Sequence, residues 1–295
     1  MEKEKQKRRG LEELNLIDDF LFQEILSRGE AGEEVCRILL STILGRSIGR
    51  VKVTAQKMLL GMDTSLRGIR MDAYVESVED MDMEVEPELF DIEPNNTYEK
   101  DALPWRTRLY QAIIDAKQLE TGWDYQDLKN VYIIMILPYD PFGKNRMVYT
   151  FKNRCVEDPQ TSYEDGVRKI YLYTKGAKEN ASQELCDMLK YIENSIAENV
   201  TNESIRAIHK LVNTVKQDKE VGVQYMKSWE RDIWLRREGK KEGKQEERQL
   251  INTLIIKLAE DGRTDDIVKS ASDEAYQEAL LKEYSLLEDE EIQLT

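Results

Sequence analysis

The run NVYIIMILP at 130–138 constrains the fold more than any other stretch. It is apolar without interruption and has the length of a strand. It leaves no face for water, so it reads as a central strand buried on both sides. A strand of that kind belongs to a sheet with helices packed on it, which places the chain among α/β folds.

The neighbouring segments supply the rest of the sheet. VKVTAQKMLL (51–60) and GIRMDAYVES (68–77) alternate with a period of two. In the second, Ile69, Met71, Ala73 and Val75 share one face, and Asp72 and Tyr74 the other. Glu88–Glu93 is a third strand, stopped by Pro94, which has no N–H to give to a ladder. MVYTF (147–151) and VRKIYLYT (167–174) are further strands. Helical spacing runs over Leu14–Leu44, with a break near Arg28–Gly32, and over Trp105–Leu119.

These elements predict a mixed-sheet domain over 14–177, preceded by a disordered basic tail over 1–13. From 178 onward the pattern is helical: a helical region over 178–229, a charged helix over 230–249 and a C-terminal segment over 250–295, broken near Asp261–Arg263. The charged helix reads ERDIWLRREGKKEGKQEERQ; charges four apart, such as Lys240–Lys244 and Glu242–Glu246, are alike and give mixed support to one helix. Its simplest reading is a solvated face. The amphipathic segments after 178 could also pair two copies of the chain into a homodimer.

Charge bounds the function. The chain has 295 residues, 43 Lys and Arg against 58 Asp and Glu, and a net charge of −15. That argues against a globally basic nucleic-acid binder and leaves room for a local basic face. Cys36, Cys155 and Cys186 are far apart, which predicts a reducing, cytoplasmic setting. MEKEKQKRRG is followed by no apolar segment, so no secretory signal is expected. No apolar run reaches the roughly 20 residues of a membrane span.

The negative charge is concentrated. From Met71 to Glu99 there are eleven acids and no Lys or Arg. Two explanations fit: a solvated acidic hairpin, or a metal site. Asp72 and Glu93 sit on or at the end of adjacent strands and could converge. Mg²⁺ takes hard oxygen ligands, commonly one or two carboxylates with waters and phosphate oxygens. Such an ion activates water and stabilises the departing oxygen in phosphodiester cleavage. In so acidic a stretch, pairs of this spacing also arise without function. The acids between Glu76 and Glu88 read as a solvated connection.

Other chemistries find little support. His209 is the only histidine and has no partner pattern, so it reads as structural, and a histidine-based triad or zinc site is not expected. No GxxxxGK[ST] or GxGxxG motif occurs. Trp105, Trp123, Trp229 and Trp234 could stack on bases, but packing is the simpler reading. Asp19 could be a helix N-cap.

The order of segments resembles the PD-(D/E)XK nuclease family transposases, also called the recombination-promoting nuclease (Rpn) family. IDDFLF (17–22) is similar to the family's opening Asp-x-x-Phe-Lys helix, with Asp19 and Phe22 in place. RMDAYVES is similar to the strand with the metal-binding aspartate, here Asp72. DIEPN is similar to the Ile-Glu-x-Gln strand, with Glu93 as the acid. WRTRLYQAIIDAKQLETGWDYQDLKNVYIIMIL is similar to the next helix, turn and buried strand, with Arg106, Tyr110, Gln118, Gly122 and Tyr125 at matching places. REGKKEGKQEE is similar to a charged run near the family's C-terminus. The likeness covers roughly residues 14–250.

The resemblance implies a restriction-endonuclease-like mixed central sheet flanked by helices, with an all-α C-terminal extension. It implies DNA as partner and DNA cleavage with Mg²⁺, or Mn²⁺ in its place. In that reading Asp72 and Glu93 bind the metal. Asp19 orients the site or a water, and Asn95 stands where the family has Lys or Gln. Arg106, Tyr110 and Gln118 support the site or contact DNA. Asn95, Pro94 and Gln23, which replaces the Lys of the opening helix, depart from the pattern. They leave a second reading open: a nuclease fold with weakened or lost catalysis, acting as a binding module.

Overall fold

The computed structural model describes residues 9–59, 68–78, 88–99, 101–119, 122, 124–177 and 181–287. The chain divides into two compact units, residues 1–225 and 226–295.

The first unit is built on a six-stranded sheet of order β1-β2-β3-β4-β6-β5. Its strands are β1 (Val51–Leu59), β2 (Ile69–Ser77), β3 (Glu88–Pro94), β4 (Asn130–Leu137), β5 (Val148–Phe151) and β6 (Val167–Tyr173). The first three pair antiparallel, β3, β4 and β6 run parallel, and β5 returns antiparallel to β6. The sheet is therefore mixed, as expected. β4 lies inside it, with Val131, Ile133, Met135 and Leu137 on one face and Ile134 and Ile136 on the other, all 0% exposed. That is the two-sided burial the uninterrupted run implies.

Helices cover both faces. On one side α1 (Asp19–Leu26), α2 (Glu30–Leu44), α4 (Gln183–Glu193) and α5 (Glu203–Gln217) pack with Ala73, Val75, Phe90 and Ile92. On the other, α3 (Leu103–Ala116) lies with Met71, Leu89, Val131 and Ile133. Local chemistry sets the helix starts. Pro104 sits in the first turn of α3, where a missing N–H costs nothing. Ser182 and Asn202 accept the N–H of Leu185 and Ile205 and cap α4 and α5. Phe90 is fully buried and stacks on Tyr132 at 5.1 Å between centroids. Phe90→Ala should cost about 3–5 kcal/mol, read from urea unfolding; a loss below about 1 kcal/mol would contradict this packing.

Several expectations are corrected. α1 stops at Leu26 and α2 starts at Glu30, so the break is Ser27–Gly29 and Gly32 lies within α2. A Cβ on Gly32 would come within 2.5 Å of the Leu26 carbonyl oxygen, so glycine lets the two helices approach. Of the tail expected to be disordered over 1–13, residues 1–8 lie outside the described residues, and the rest is ordered: Leu11–Glu13 forms a 3₁₀ turn, Leu11 is buried, and Arg9 pairs with Asp18 at 2.9 Å. Glu88 is not solvated; it is buried and pairs with Arg46 at 2.5 Å. Glu76 is half-buried and pairs with Lys129 at 3.2 Å. The acids from Glu79 to Glu86 lie outside the described residues, as does Trp123. The boundary expected at 177/178 falls inside the first unit, because α4 and α5 bury Leu185, Met188, Ile205 and Ile208 in the same core as α1 and α2.

α6 (Lys219–Glu260) is one continuous helix, so the boundaries expected at 229/230 and 249/250 are not structural breaks. It ends before Gly262, whose φ of +71° suits the turn expected at Asp261–Arg263. In the second unit Leu254 and Leu258 of α6 form a small core with Leu280 and Leu281 of α8 (Glu274–Glu283); α7 (Thr264–Ser270) lies between them in sequence. Among the described residues no helix is long and apolar enough to cross a membrane.

Candidate active site

The register of β2 and β3 places Ala73 opposite Ile92 and Tyr74 opposite Asp91. One step further, Asp72 meets Glu93, and the Asp72 N–H donates to Glu93 Oε1 at 2.7 Å. Asp91 and Glu93 alternate with Phe90 and Ile92 and so share with Leu89 the sheet face that α3 covers. At Asp72 the alternation of β2 breaks, since Ile69 and Met71 join that face while Ala73 and Val75 join the other, against the expectation that all four share one face. The strand pair thus brings together the two acids singled out from the sequence.

Glu93 is 1% exposed. Its Oε2 accepts from Arg106 Nη2 at 2.6 Å. Arg106, from the first turns of α3, also reaches Glu99 at 3.2 Å and donates from Nε to the Tyr110 hydroxyl at 3.3 Å. Tyr110 in turn donates to the Arg70 carbonyl at 3.2 Å, fixing α3 against β2.

α1 closes the other side. Asp18 is its N-cap residue and Asp19 its first helical residue, so the cap assigned to Asp19 belongs one position earlier. One turn on, Gln23 Nε2 donates to Asp72 Oδ1 at 2.9 Å. Gln23 is held by Gln56 of β1, and Gln56 by Arg70. Gln56 has φ +53° in mid-strand. A left-handed non-glycine residue there costs about 1–3 kcal/mol, and it faces the point where β2 carries Asp72.

Crowded acids in a dry place resist ionisation. Burial, then the charge of Asp72, pushes Glu93 up to about 8, against the Asp72 N–H and Arg106. Burial, then Asp72 and Asp18, pushes Asp19 up to about 6. Burial raises Asp72 as well, against the Gln23 hydrogen bond and Arg106. Asp91 is 0% exposed, and neither carboxyl oxygen has a hydrogen-bond partner among the described residues. Burial, then Glu93, drives it well above the usual carboxylate range.

Asn95 continues the face of Glu93. Its Oδ1 accepts from the Thr97 N–H at 2.8 Å, and its buried Nδ2 has no partner among the described residues. Gln118 lies elsewhere: it accepts the Lys129 N–H at 2.9 Å, joining the end of α3 to the start of β4, away from the acids. Asp91, Gln23 as holder of Asp72, and Gln56 were not singled out for these places. The spacing of Asp91 and Glu93 in DIEPN could have flagged the first; nothing local flags Gln56.

The donors suit a hard divalent ion. Asp72 and Glu93 give two carboxylates facing across adjacent strands, within the one or two that Mg²⁺ commonly takes from protein. A cation there would favour the ionised form of both groups, against the burial that lifts them and the charge of Asp72 that lifts Glu93 further. Glu93 must then share its oxygens with Arg106 and the Asp72 N–H. Among the described residues, no group of three or more Asp, Glu, His or Cys side chains is arranged around one ion. Beside Arg106 opens a cleft of about 880 Å³, lined by Arg70, Tyr98, Trp105, Arg106, Leu109 and Tyr110 among others. Tyr98 and Trp105 are 69% and 63% exposed.

No curated protein and no solved structure matches the chain. The family model of the PD-(D/E)XK nuclease family transposases matches residues 16–253, which include α1, the β2–β3 pair, α3 and most of α6. The chain belongs to that family.

Proposed function

We propose that this protein is a divalent-metal-dependent DNA endonuclease, hydrolysing phosphodiester bonds in transposition or recombination. Family membership points to nuclease-like function, and such nucleases generally use divalent metals. The observation that carries the reading for this chain is the facing of Asp72 and Glu93 across β2 and β3, with Arg106 at 2.6 Å.

Asp72 and Glu93 would hold the ion, Mg²⁺ or Mn²⁺. When bound, the ion supplies a water nucleophile and charge stabilisation at the leaving oxygen. The remaining work falls to the chain. Gln23, locked by Gln56, orients the Asp72 carboxylate. Asp19 stands beside Asp72 and orients water. Asn95 turns an unused amide donor towards an incoming oxygen where the family has Lys or Gln. Arg106 brings the positive charge that position 95 lacks, from α3, and lies on the wall of the cleft that would take the DNA strand. Tyr110 holds Arg106 in place.

A ligand that binds only the folded state raises its stability, by about 2.7 kcal/mol at a hundred times its Kd. Mn²⁺ or Mg²⁺ is therefore expected to raise the Tm of the parent and not that of Asp72→Ala. No shift in the parent at 10 mM of either ion, on the order of a hundred times a 0.1 mM Kd, would count against the metal site. The second reading, a nuclease fold that binds without cutting, is favoured by the loss of cationic side chains at Gln23 and Asn95. It predicts binding to DNA with no cleavage in either metal.

A further inference from the structure

α6 carries a charge pattern that a merely solvated helix does not need. From Arg236 to Arg248 every charged pair four residues apart is like-charged: Arg236–Lys240, Arg237–Lys241, Lys240–Lys244 and Lys244–Arg248, and Glu238–Glu242 and Glu242–Glu246. Such pairs sit one above the other and destabilise a helix by a few tenths of a kcal/mol each, where opposite pairs would stabilise it. Gly239 and Gly243 add about 1 kcal/mol each relative to alanine. Neither is needed for space, since nothing lies within 4 Å of a Cβ built on them. From Trp234 to Gln249 every residue but Glu238 is exposed, so packing does not offset these costs.

The outcome of this spacing is segregation. At 3.6 residues per turn, Arg237, Lys240, Lys241, Lys244 and Arg248 fall within a stripe about 100° wide and about 17 Å long. Glu238, Glu242 and Glu246 fall on a separate stripe, and the fourth glutamate, Glu247, flanks the positive stripe beside Lys240. Lys241 pairs with Glu238 at 3.7 Å; among the described residues the other four cations have no ion pair. In a chain of net charge −15 this is a concentrated positive surface, five cations against one ion pair and one flanking acid.

We propose that this stripe of α6 binds the phosphate backbone of duplex DNA. Duplex DNA carries one negative charge per ≈1.7 Å of its axis, so about 17 Å of stripe meets more phosphates than it has cations. Contact with them removes the like-charge repulsion and strengthens the helix at its two glycines. The glutamate stripe keeps the contact to one face. The choice of DNA as the polyanion rests on the nuclease reading; the charge pattern does not.

The test is binding of a fluorescein-labelled duplex oligonucleotide to the full chain in EDTA, followed by anisotropy from 50 to 200 mM NaCl. Lys240→Gln/Lys241→Gln/Lys244→Gln should lower the slope of log Kobs against log salt by about 2.7, at about 0.9 per lost phosphate contact. It should weaken binding at least ~10-fold at 100 mM salt. The three positions are exposed, so the Tm is expected to hold, and Glu238→Gln/Glu242→Gln/Glu246→Gln should not weaken binding. DNA should increase the far-UV helix signal of the parent and not of the Lys variant. An unchanged slope and affinity in the Lys variant overturns the proposal. So does a dimer of the parent, seen by sedimentation, that the Lys variant loses while its DNA binding persists, for then a second copy covers the stripe. Binding in EDTA is independent of cleavage. A parent that never nicks DNA leaves a stripe-dependent slope standing, and a parent that nicks with no such slope refutes the stripe alone.

Discussion

Arg106→Met is expected to destabilise the protein by roughly 1–3 kcal/mol at about pH 9, where Glu93 is ionised and would be left buried without its cationic hydrogen-bond partner. Glu93 is the reason. It is 1% exposed, and Arg106 is its cationic partner, 2.6 Å away. Met restores the length and the apolar contacts of the side chain but no charge. The effect should shrink by pH 6, because Glu93 then folds as the neutral acid and needs no partner. Cleavage should fall with stability corrected for, since the same guanidinium faces the cleft. Chemical unfolding at about pH 9 and about pH 6 decides the matter: a loss at the higher pH no larger than that at the lower would show that the pair does not hold the strand end in place.

The second large effect is in the pH dependence of stability without added metal. Glu93 moves from 4.5 to about 8 on folding and Asp19 from 3.8 to about 6. Both are raised, so between these limits the folded chain holds protons that the unfolded chain has released. The slope of unfolding free energy against pH is then negative. Stability should fall as pH rises from about 4.5 to 8, the reverse of the behaviour of salt-bridged carboxylates, and be higher at about pH 5 than at about pH 8. Mg²⁺ or Mn²⁺ should flatten this slope, since a bound cation favours the ionised acids, and Asp72→Asn should flatten it by removing a charge. A Tm that climbs steadily from pH 5 to 8 in EDTA would contradict the crowding of Asp19, Asp72 and Glu93.

Much of this was legible in the sequence because it is written in short-range patterns. NVYIIMILP can be satisfied only by burial on two faces. The alternation of IRMDAYVES marks a strand but not its faces, because it breaks at Asp72 between Met71 and Ala73, and DIEPN places Glu93 at the end of a strand. What the sequence hid depends on contacts between distant segments or on backbone geometry. Glu88 finds Arg46 from 42 positions away, and Gln23 finds Asp72 from 49. Those pairings, not composition, decide that one acid of the stretch is buried and another is held in the site. The left-handed turn of Gln56 leaves no mark on a strand-like sequence. α6 runs unbroken through Gly222, Gly239 and Gly243, and it buries Val221 and Tyr225 near its start and Leu254 and Leu258 near its end.

The departures from the family pattern also change meaning in three dimensions. Read along the chain, Gln23 and Asn95 are two missing cations. In space, Gln23 is a neutral donor that fixes Asp72, and the positive charge near Glu93 arrives from Arg106. Pro94 closes β3 beyond its last pair with β2, where no N–H is called for on that side, while β4 still pairs beside it.

The most direct measurement is nicking of supercoiled plasmid at low salt by the parent, Asp72→Ala and Glu93→Ala, each in Mg²⁺, Mn²⁺ and EDTA. The parent should nick in at least one metal and not in EDTA, and each variant should lose about a hundredfold or more, the several kcal/mol a metal site contributes to the transition state. A folded parent that leaves the plasmid intact in both metals, or an Asp72→Ala protein that cuts as fast as the parent, would contradict a nuclease centred on Asp72 and Glu93.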